Sequence, residues 1–232
     1  ALAAVEPSLS EKDRGLCHEI VLGSLRRQIY LDRLIQKFVG EKKLDRAVRV
    51  ALRIGIYQLL FLDRIPAFSA INESVELVRK AKKASATGFV NAILRRITGE
   101  GLDLKFSDEV DRISVETSHP RWLIERWIGE FGSERAFAIA MANNAEPPLA
   151  FRRTARHSDP DIEVIGRSSN YVAGCRLGSG DTRRLIELER EGVIYFQDES
   201  SQLVASAAAA NSGEYVLDVC AAPGSKTGML AL

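Results

Sequence analysis

The chain of 232 residues is long enough for one large domain or for two to three small ones. Its hydrophobic fraction of 46% is ordinary for a globular protein, and no apolar run reaches the roughly 18 residues that a membrane span requires. The three cysteines lie far apart and form no CxxC pair, which argues against a zinc site or a disulfide framework and is typical of a reducing cytoplasm.

The net charge is +1, but the charged residues are distributed unevenly along the chain. Residues 1–99 hold 18 Lys and Arg against 10 Asp and Glu, whereas residues 100–232 hold 14 against 21. A basic half joined to an acidic half indicates a polyanion-binding module fused to another domain. A helical surface that is merely rich in Lys and Arg is the alternative, and the charge alone slightly favours it.

Apolar residues at helical spacing predict that the first hundred residues are all helical. The spacing i, i+3, i+4, i+7 occurs twice, and a longer apolar stripe lies between the two. The positions are Leu31, Leu34, Ile35 and Phe38, then Leu44, Val48, Leu52, Ile56, Leu59 and Leu60, then Val90, Ile93, Leu94 and Ile97. Since each stripe needs a partner helix to bury it, we expect a compact bundle of five or six helices.

A row of arginines lies on a second face of the middle stripe. Arg46, Arg49 and Arg53 are spaced i, i+3 and i+7, so they line up along one side of the predicted helix. An aligned arginine row can bind phosphates with an affinity that falls steeply with salt. A solvated helix face is the other interpretation of the same pattern.

Helix caps and breaks divide the stretch that follows. GEGLDLKFS at 99–107 is typical of a linker, and Ser107 is predicted to cap the helix DEVDRIS. Ser118 is predicted to cap the next helix. A third helix begins at Ser133 and is stopped by the double proline at 147–148.

Short strand-like runs separated by Gly, Ser and Asp begin at residue 149. The runs LAFRR, IEVIG, YVAGCRL and VIYF predict a small α+β domain. QDESSQLVASAAAA is then predicted to be a helix that begins after Phe196, and Gly213 ends it. The last apolar run, YVLDV at 215–219, is predicted to be a buried strand.

The turn after this strand has the sequence CAAPGSKT. Small residues at the carboxyl edge of a strand let a ligand approach the backbone, and the helix that follows offers free N–H donors. A Walker loop is excluded because Ser225 separates Gly224 from Lys226, and a dinucleotide fingerprint is excluded because the turn has a single glycine. The remaining class is a nucleoside cofactor without a pyrophosphate, such as S-adenosylmethionine.

Asp218 lies where such a cofactor needs an acidic residue, near the end of the predicted strand. Its charge could face the ammonium or the sulfonium group, and a helix-capping or turn role is the alternative. The candidate cofactor-binding residues are Asp218, Cys220, Ala221, Ala222, Pro223, Gly224, Ser225 and Lys226.

Four blocks of this sequence resemble the RNA cytosine-5 methyltransferases. DVCAAPGSKT is similar to the cofactor motif of that family, with Ser225 in place of a second glycine, and FQDESSQ at 196–202 is similar to the motif before the cofactor strand. HPRWLIERW with NNAEPPLAFR resembles the stretch before the small domain. RIGIYQLLFLDRIPAFSAINESVELVRK with GFVNAILRR resembles the NusB-type RNA-binding domain. This order of parts is that of the RsmB/Sun branch.

The resemblance implies a multidomain fold. Residues 1–99 would form an all-α NusB-like helical bundle that binds RNA, residues 100–195 a small α+β domain that positions RNA, and residues 196–232 the beginning of an α/β Rossmann-like methyltransferase domain. The implied reaction transfers a methyl group from S-adenosylmethionine to C5 of a cytosine in 16S rRNA. The implied protein is a cytoplasmic monomer that acts on the small ribosomal subunit, with neither metal nor membrane. The arginine row is then expected to bind ribosomal RNA.

A non-enzymatic NusB-like RNA-binding protein of transcription antitermination is the competing hypothesis. Residues 1–99 alone do not distinguish the two. The last part of the sequence favours the enzyme, because an antitermination protein has no reason to carry QDESSQ followed by DVCAAPGSKT.

The sequence departs from the family pattern in two places. Thr154 stands where the family often has asparagine, and the small domain is short. In the family a cysteine thiolate attacks C6 of cytosine, and both functional cysteines lie well beyond the cofactor motif. None of Cys17, Cys175 and Cys220 occupies such a position. We therefore interpret the sequence as part of a longer enzyme, expect the nucleophile beyond Leu232, and expect these 232 residues to be inactive alone.

Overall fold

The computed structural model describes residues 6–154, 166–178 and 182–231. The chain divides into two compact units, Ala1–Ala145 and Glu146–Leu232. The described part of the first unit is helical, and that of the second contains a four-stranded sheet with helices. No helix in these residues is long and apolar enough to cross a membrane.

Five α-helices occupy the described part of the first hundred residues, as the apolar spacing predicts. They are α1 (Glu11–Arg26), α2 (Gln28–Val39), α3 (Arg46–Phe61), α4 (Ala67–Lys80) and α5 (Thr87–Gly99), with 3-10 turns at Glu6–Ser8 and Ala84–Ala86. The predicted stripes on α2 and α5 are buried completely, and α3 buries the centre of its stripe. These side chains form one core, and apolar burial at about 25 cal/mol per Å² is its main source of stability.

Three more helices complete the helical unit: α6 (Glu109–Thr117), α7 (Arg121–Phe131) and α8 (Ser133–Asn144). An ion pair joins α6 to α2, in which Nη1 and Nη2 of Arg33 donate to the Asp111 carboxylate at 3.1 and 2.6 Å. The same carboxylate accepts the backbone N–H of Ser107 at 3.0 Å. Arg33 and this N–H lower the pKa of Asp111, so the pair stays charged at neutral pH.

Both predicted serine caps in this region are wrong. α6 is capped by the carboxylate of Asp108 and not by Ser107, which is consistent with the preference of a helix N-terminus for negative charge. Ser118 does not cap α7, since Pro120 directly precedes that helix. Ser118 instead ends α6 in the left-handed conformation, and its hydroxyl accepts the backbone N–H of Tyr30 at 3.0 Å.

The second unit is built on an antiparallel sheet with the strand order β2-β3-β1-β4. The strands are β1 (Ala150–Arg153), β2 (Gly166–Ser168), β3 (Cys175–Gly178) and β4 (Ile194–Phe196), and the helices are α9 (Thr182–Arg190), α10 (Glu199–Ala207) and α11 (Ser225–Leu230). The strands predicted in LAFRR, YVAGCRL and VIYF are confirmed. The run IEVIG lies outside the described residues except for its glycine, where β2 begins.

The two faces of the sheet carry different side chains. Phe151 packs with Leu188 of α9 on one face. Because neighbouring residues of a strand point to opposite faces, Arg152 lies on the other face, opposite Cys175 in the register of β1 and β3. Met229 of α11 packs on this second face.

The prediction of a strand at 215–219 is wrong for the described chain. The segment joins no ladder of the sheet, and Tyr215, Leu217 and Val219 are exposed, Leu217 by 84%. A strand depends on a neighbouring strand for its backbone hydrogen bonds, and no described strand pairs with this one. The helix predicted after the turn is confirmed as α11, and the helix predicted after Phe196 is confirmed as the shorter α10.

Candidate functional site

The carboxylate of Asp218 closes the turn that leads into α11. Its Oδ1 accepts the N–H of Cys220 at 3.0 Å, and its Oδ2 accepts the hydroxyl of Thr227 at 2.6 Å. The hydrogen bond from Thr227 is the main reason why the pKa of Asp218 is below its ordinary value. Asp218 therefore joins the two ends of the turn as an ionised group.

Gly224 gives the turn its backbone direction. It has a φ of +102° and directly precedes Ser225, the first residue of α11. Glycine adopts such a positive φ at lower cost than any other residue. A Cβ at Gly224 would meet no atom within 4 Å, so the backbone and not a neighbouring side chain disfavours other residues here. That a ligand needs this space stays a prediction.

The other predicted cofactor-binding residues lie along the same turn. Most of them are exposed to solvent, and only Ser225 is half-buried. These residues are Cys220, Ala221, Ala222, Pro223, Ser225 and Lys226. The turn therefore presents an accessible backbone of small residues, which a ligand can approach without displacing long side chains.

Cys175 does not have the surroundings of an activated nucleophile. Cys175 is buried, and this burial raises the pKa of its thiol. Cys17 is half-buried on α1, and Cys220 is exposed in the turn. Activation requires a nearby cation, a base or a metal. No group of three or more His, Cys, Asp or Glu among the described residues is arranged to hold a metal ion.

The motif FQDESSQ runs from the last residue of β4 into the beginning of α10. Asp198 caps the helix, since its Oδ1 accepts the backbone N–H of Ser200 at 2.9 Å. Gln197 and Gln202 are buried beneath the sheet face that carries Arg152. The burial of these glutamines could not be predicted from the sequence, because no short-range pattern distinguishes a buried glutamine from an exposed one.

The three arginines of the predicted row share a side of α3 but differ in their partners. Nε and Nη2 of Arg53 donate to the carboxylate of Asp32 on α2 at 2.8 and 2.5 Å, and the Arg53 side chain is 19% exposed. Arg46 and Arg49 are exposed and form no ion pair with the described residues. Two of the three guanidinium groups are therefore free to bind an anion, and Arg53 is held within the fold.

Arg49 also lines a groove of about 490 Å³ between α2 and the turn that precedes α3. Arg33, Lys42 and Lys43 line the same groove together with Asp32. The Nζ of Lys42 lies 5.5 Å from the ring centroid of Phe89, which favours a fixed position for this ammonium group. Basic side chains around a groove of this size can hold phosphate groups.

Two family models match the chain. The model described as the NusB family matches residues 1–99. The model described as the Methyltr_RsmF/B-like, ferredoxin-like domain matches residues 119–162. Both matches agree with the families that the sequence motifs resemble.

Curated relatives resemble the chain over nearly all of its length. A protein of Pseudomonas putida named "Ribosomal RNA small subunit methyltransferase B" is 37% identical over 98% of this chain and 54% of its own length. A Bacillus subtilis protein named "Probable ribosomal RNA small subunit methyltransferase B" is 34% identical over 96% of this chain and 52% of its own length. The chain thus spans about half the length of the curated relatives it matches.

A solved structure supports the fold. The crystal structure of PH0851 matches 96% of this chain and 53% of its own chain with a TM-score of 0.69 and 21% sequence identity. At this level of identity the match concerns the fold alone.

Proposed function

We propose that this chain, which matches the NusB family model over residues 1–99 and the RsmF/B-like, ferredoxin-like domain model over residues 119–162, works in an enzyme that methylates C5 of a cytosine in 16S rRNA. S-adenosylmethionine is the methyl donor in this proposal. The observation that carries the proposal is the turn DVCAAPGSKT, in which Asp218 closes the loop and Gly224 has a left-handed backbone directly before α11. In this proposal the protein is a cytoplasmic monomer and acts on the small ribosomal subunit.

The extent of the similarity favours the enzyme over a NusB-like antitermination protein. Such a protein needs only the helical domain that matches residues 1–99. The relatives named as methyltransferases match 96–98% of this chain. The proposed division of labour assigns RNA binding to residues 1–99, RNA positioning to residues 100–195 and the start of the methyltransferase domain to residues 196–232.

Asp218 can act on a cofactor while it holds the turn. An ionised carboxylate has about four lone-pair sites, and the described hydrogen bonds from Cys220 and Thr227 use two of them. In the proposed site the remaining sites and the negative charge face the ammonium or sulfonium group of S-adenosylmethionine. Lys226 is exposed in the first turn of α11, so its proposed contribution is smaller.

Gly224→Val and Asp218→Asn are expected to weaken the binding of S-adenosylmethionine to the protein encoded by the complete gene. A left-handed backbone costs an L-residue about 1–2 kcal/mol, so the free turn of Gly224→Val should relax to another conformation. Binding must then restore the left-handed backbone, and the affinity should fall roughly tenfold. Asp218→Asn keeps a similar shape but removes the charge that faces the cofactor. Isothermal titration calorimetry measures both affinities.

A matched control separates backbone strain from the cofactor site. Gly213 also has a positive φ, of +91°, but lies outside the turn, and a Cβ there meets no atom within 4 Å. Gly213→Val should therefore leave the affinity unchanged. If the two turn variants remain folded by circular dichroism and bind as tightly as the parent, the turn has only a structural role and does not bind the cofactor.

The 232-residue chain is expected to transfer no methyl group to RNA, whereas the product of the complete gene is expected to do so. The reason is that the family resemblance implies a nucleophile beyond the cofactor motif, and Cys17, Cys175 and Cys220 do not lie there. The assay incubates each protein with labelled S-adenosylmethionine and undermethylated small subunits. Turnover by the 232 residues above background would contradict the expected location of the nucleophile, and Cys220→Ser would then test the exposed thiol first.

A further inference from the structure

A cluster of buried polar side chains lies on the sheet face that carries α11. Arg152 is 9% exposed, Gln197 5% and Gln202 not at all. Nε of Arg152 donates to Oε1 of Gln197 at 2.9 Å, and its guanidinium lies 5.0 Å from the ring centroid of Tyr195. Nε2 of Gln202 donates to the backbone oxygen of Gln197 at 2.8 Å. The cluster lies outside the turn that the sequence singles out.

The guanidinium of Arg152 has no counter-ion among the described residues. Its burial lowers the pKa, against the opposing effect of Tyr195. Arg33 and Arg53, which are also partly buried, each donate from two nitrogens to both oxygens of one carboxylate. For Arg152 the carboxamide of Gln197 takes the place of such a carboxylate and offers a single oxygen. Burying a cation without an anion costs free energy, so the surroundings of Arg152 lack a negatively charged partner.

Two kinds of donor in this pair have no acceptor. The Nη atoms of Arg152 make no hydrogen bond with the described residues, and Nε2 of Gln197 is buried without a partner. Rotating the carboxamide of Gln197 by 180° would exchange its oxygen and nitrogen, but it would not pair the donors. Nε2 would then face the Nε–H of Arg152, which is also a donor. Native proteins pair the great majority of their buried donors. Among these donors only Nε2 of Gln197 is fully buried, and Oε1 of Gln202 is a buried acceptor of the cluster that is also without a partner. The charge of Arg152 and the unpaired Nε2 of Gln197 point to an anion that comes from outside the described chain.

Gly228 of α11 lies next to the guanidinium group of Arg152. A Cβ at this glycine would lie 3.4 Å from Nη2 of Arg152, and Gly228 itself is exposed. The missing side chain leaves an approach to the unpaired nitrogen. One oxygen of a carboxylate or phosphate group can accept hydrogen bonds from such donors and supply the missing negative charge.

We propose that Arg152 and Gln197 bind a small oxyanion, a carboxylate or a phosphate group, next to α11, and that this anion fixes α11 on the sheet. Met229 already holds the helix through apolar contact with the cluster of Ala150, Val172, Cys175 and Leu177. The anion adds a polar contact beside Gly228, one residue earlier in the same helix. This site is independent of the proposed methyl transfer, since it lies on the sheet face and not in the turn.

Methionine methyl groups provide a direct test on the 232-residue chain. The chain contains two methionines, Met141 and Met229. Met141 is 43% exposed on α8 of the helical unit, and Met229 packs beside the proposed site. A sample with 13C-labelled methionine methyl groups is titrated with sodium acetate or sodium phosphate, with sodium chloride holding the ionic strength constant. We expect a saturable shift of the Met229 signal and a stationary Met141 signal.

Gln197→Glu is the sharpest variant because it supplies the missing oxygen and charge within the chain, as Asp32 does for Arg53. It should abolish the response to added anions while the Met141 signal and the circular dichroism spectrum stay unchanged. Arg152→Leu removes the donors and should abolish the response as well. A response to acetate alone assigns the site to carboxylates, and a response to phosphate alone assigns it to phosphoryl groups. The absence of a saturable Met229 shift with both anions, or an unchanged shift in Gln197→Glu, overturns the proposal.

Discussion

Replacing Arg46 and Arg49 together by alanine is expected to weaken the proposed binding of 16S rRNA and to reduce its dependence on salt. Both guanidinium groups are exposed on α3 and form no ion pair with the described residues. Each lost phosphate contact should lower the slope of log affinity against log salt by about 0.7–0.9. The double variant should therefore lose about 1.4–1.8 of the slope. Filter binding of 16S rRNA fragments over a salt series measures this change.

Two single variants show whether the effect belongs to these positions. Arg53→Ala should change the slope little but lower the free energy of unfolding, because Arg53 is bound to Asp32 and its loss leaves that carboxylate unpaired. Arg126→Ala removes an exposed arginine that pairs with Glu130 on α7, away from the row, and should leave the slope unchanged. A double variant that keeps the parental slope would mean that Arg46 and Arg49 belong to a solvated helix face.

The helices could be predicted from the sequence because their determinants are local. Burying Leu31, Leu34 and Phe38 requires only the 3.6-residue period and a partner helix, and all three are buried. The strand predicted at 215–219 failed for the opposite reason. Its apolar content is that of a strand, but a strand is completed by hydrogen bonds to a neighbour, which no local pattern specifies.

In the candidate site, too, local features could be predicted from the sequence, and features that depend on distant parts of the chain could not. The left-handed backbone of Gly224 follows from the turn sequence, because glycine is the residue that adopts a positive φ at low cost. The pairing of Arg53 with Asp32 could not be predicted from the sequence, since it depends on how α2 and α3 pack. The position of Arg152 beside Gln197 depends on the register of β1 and β4, which the sequence does not reveal either.

Gly55→Ala is expected to destabilise the helical unit, although alanine is the better helix former. A Cβ at Gly55 would lie 2.6 Å from Oγ of Ser74 on α4 and 2.8 Å from Cδ1 of Leu94 on α5. Both neighbours are fully buried, so neither can move away freely. Overpacking of this kind costs about 1–3 kcal/mol, against a gain of up to about 1 kcal/mol in helix propensity. We expect a net loss of about 1–2 kcal/mol in the free energy of unfolding.

Gly129→Ala is the matched control, and its expected effect has the opposite sign. Gly129 is exposed on α7 of the same unit, and a Cβ there would meet no atom within 4 Å. Only the helix propensity changes, so the unfolding free energy should rise by about 0.5–1 kcal/mol. Urea unfolding followed by circular dichroism measures both variants, and an unchanged m-value shows that stability alone has changed. If Gly55→Ala were as stable as Gly129→Ala, α3 would not approach α4 and α5 as closely as the distances at Gly55 require.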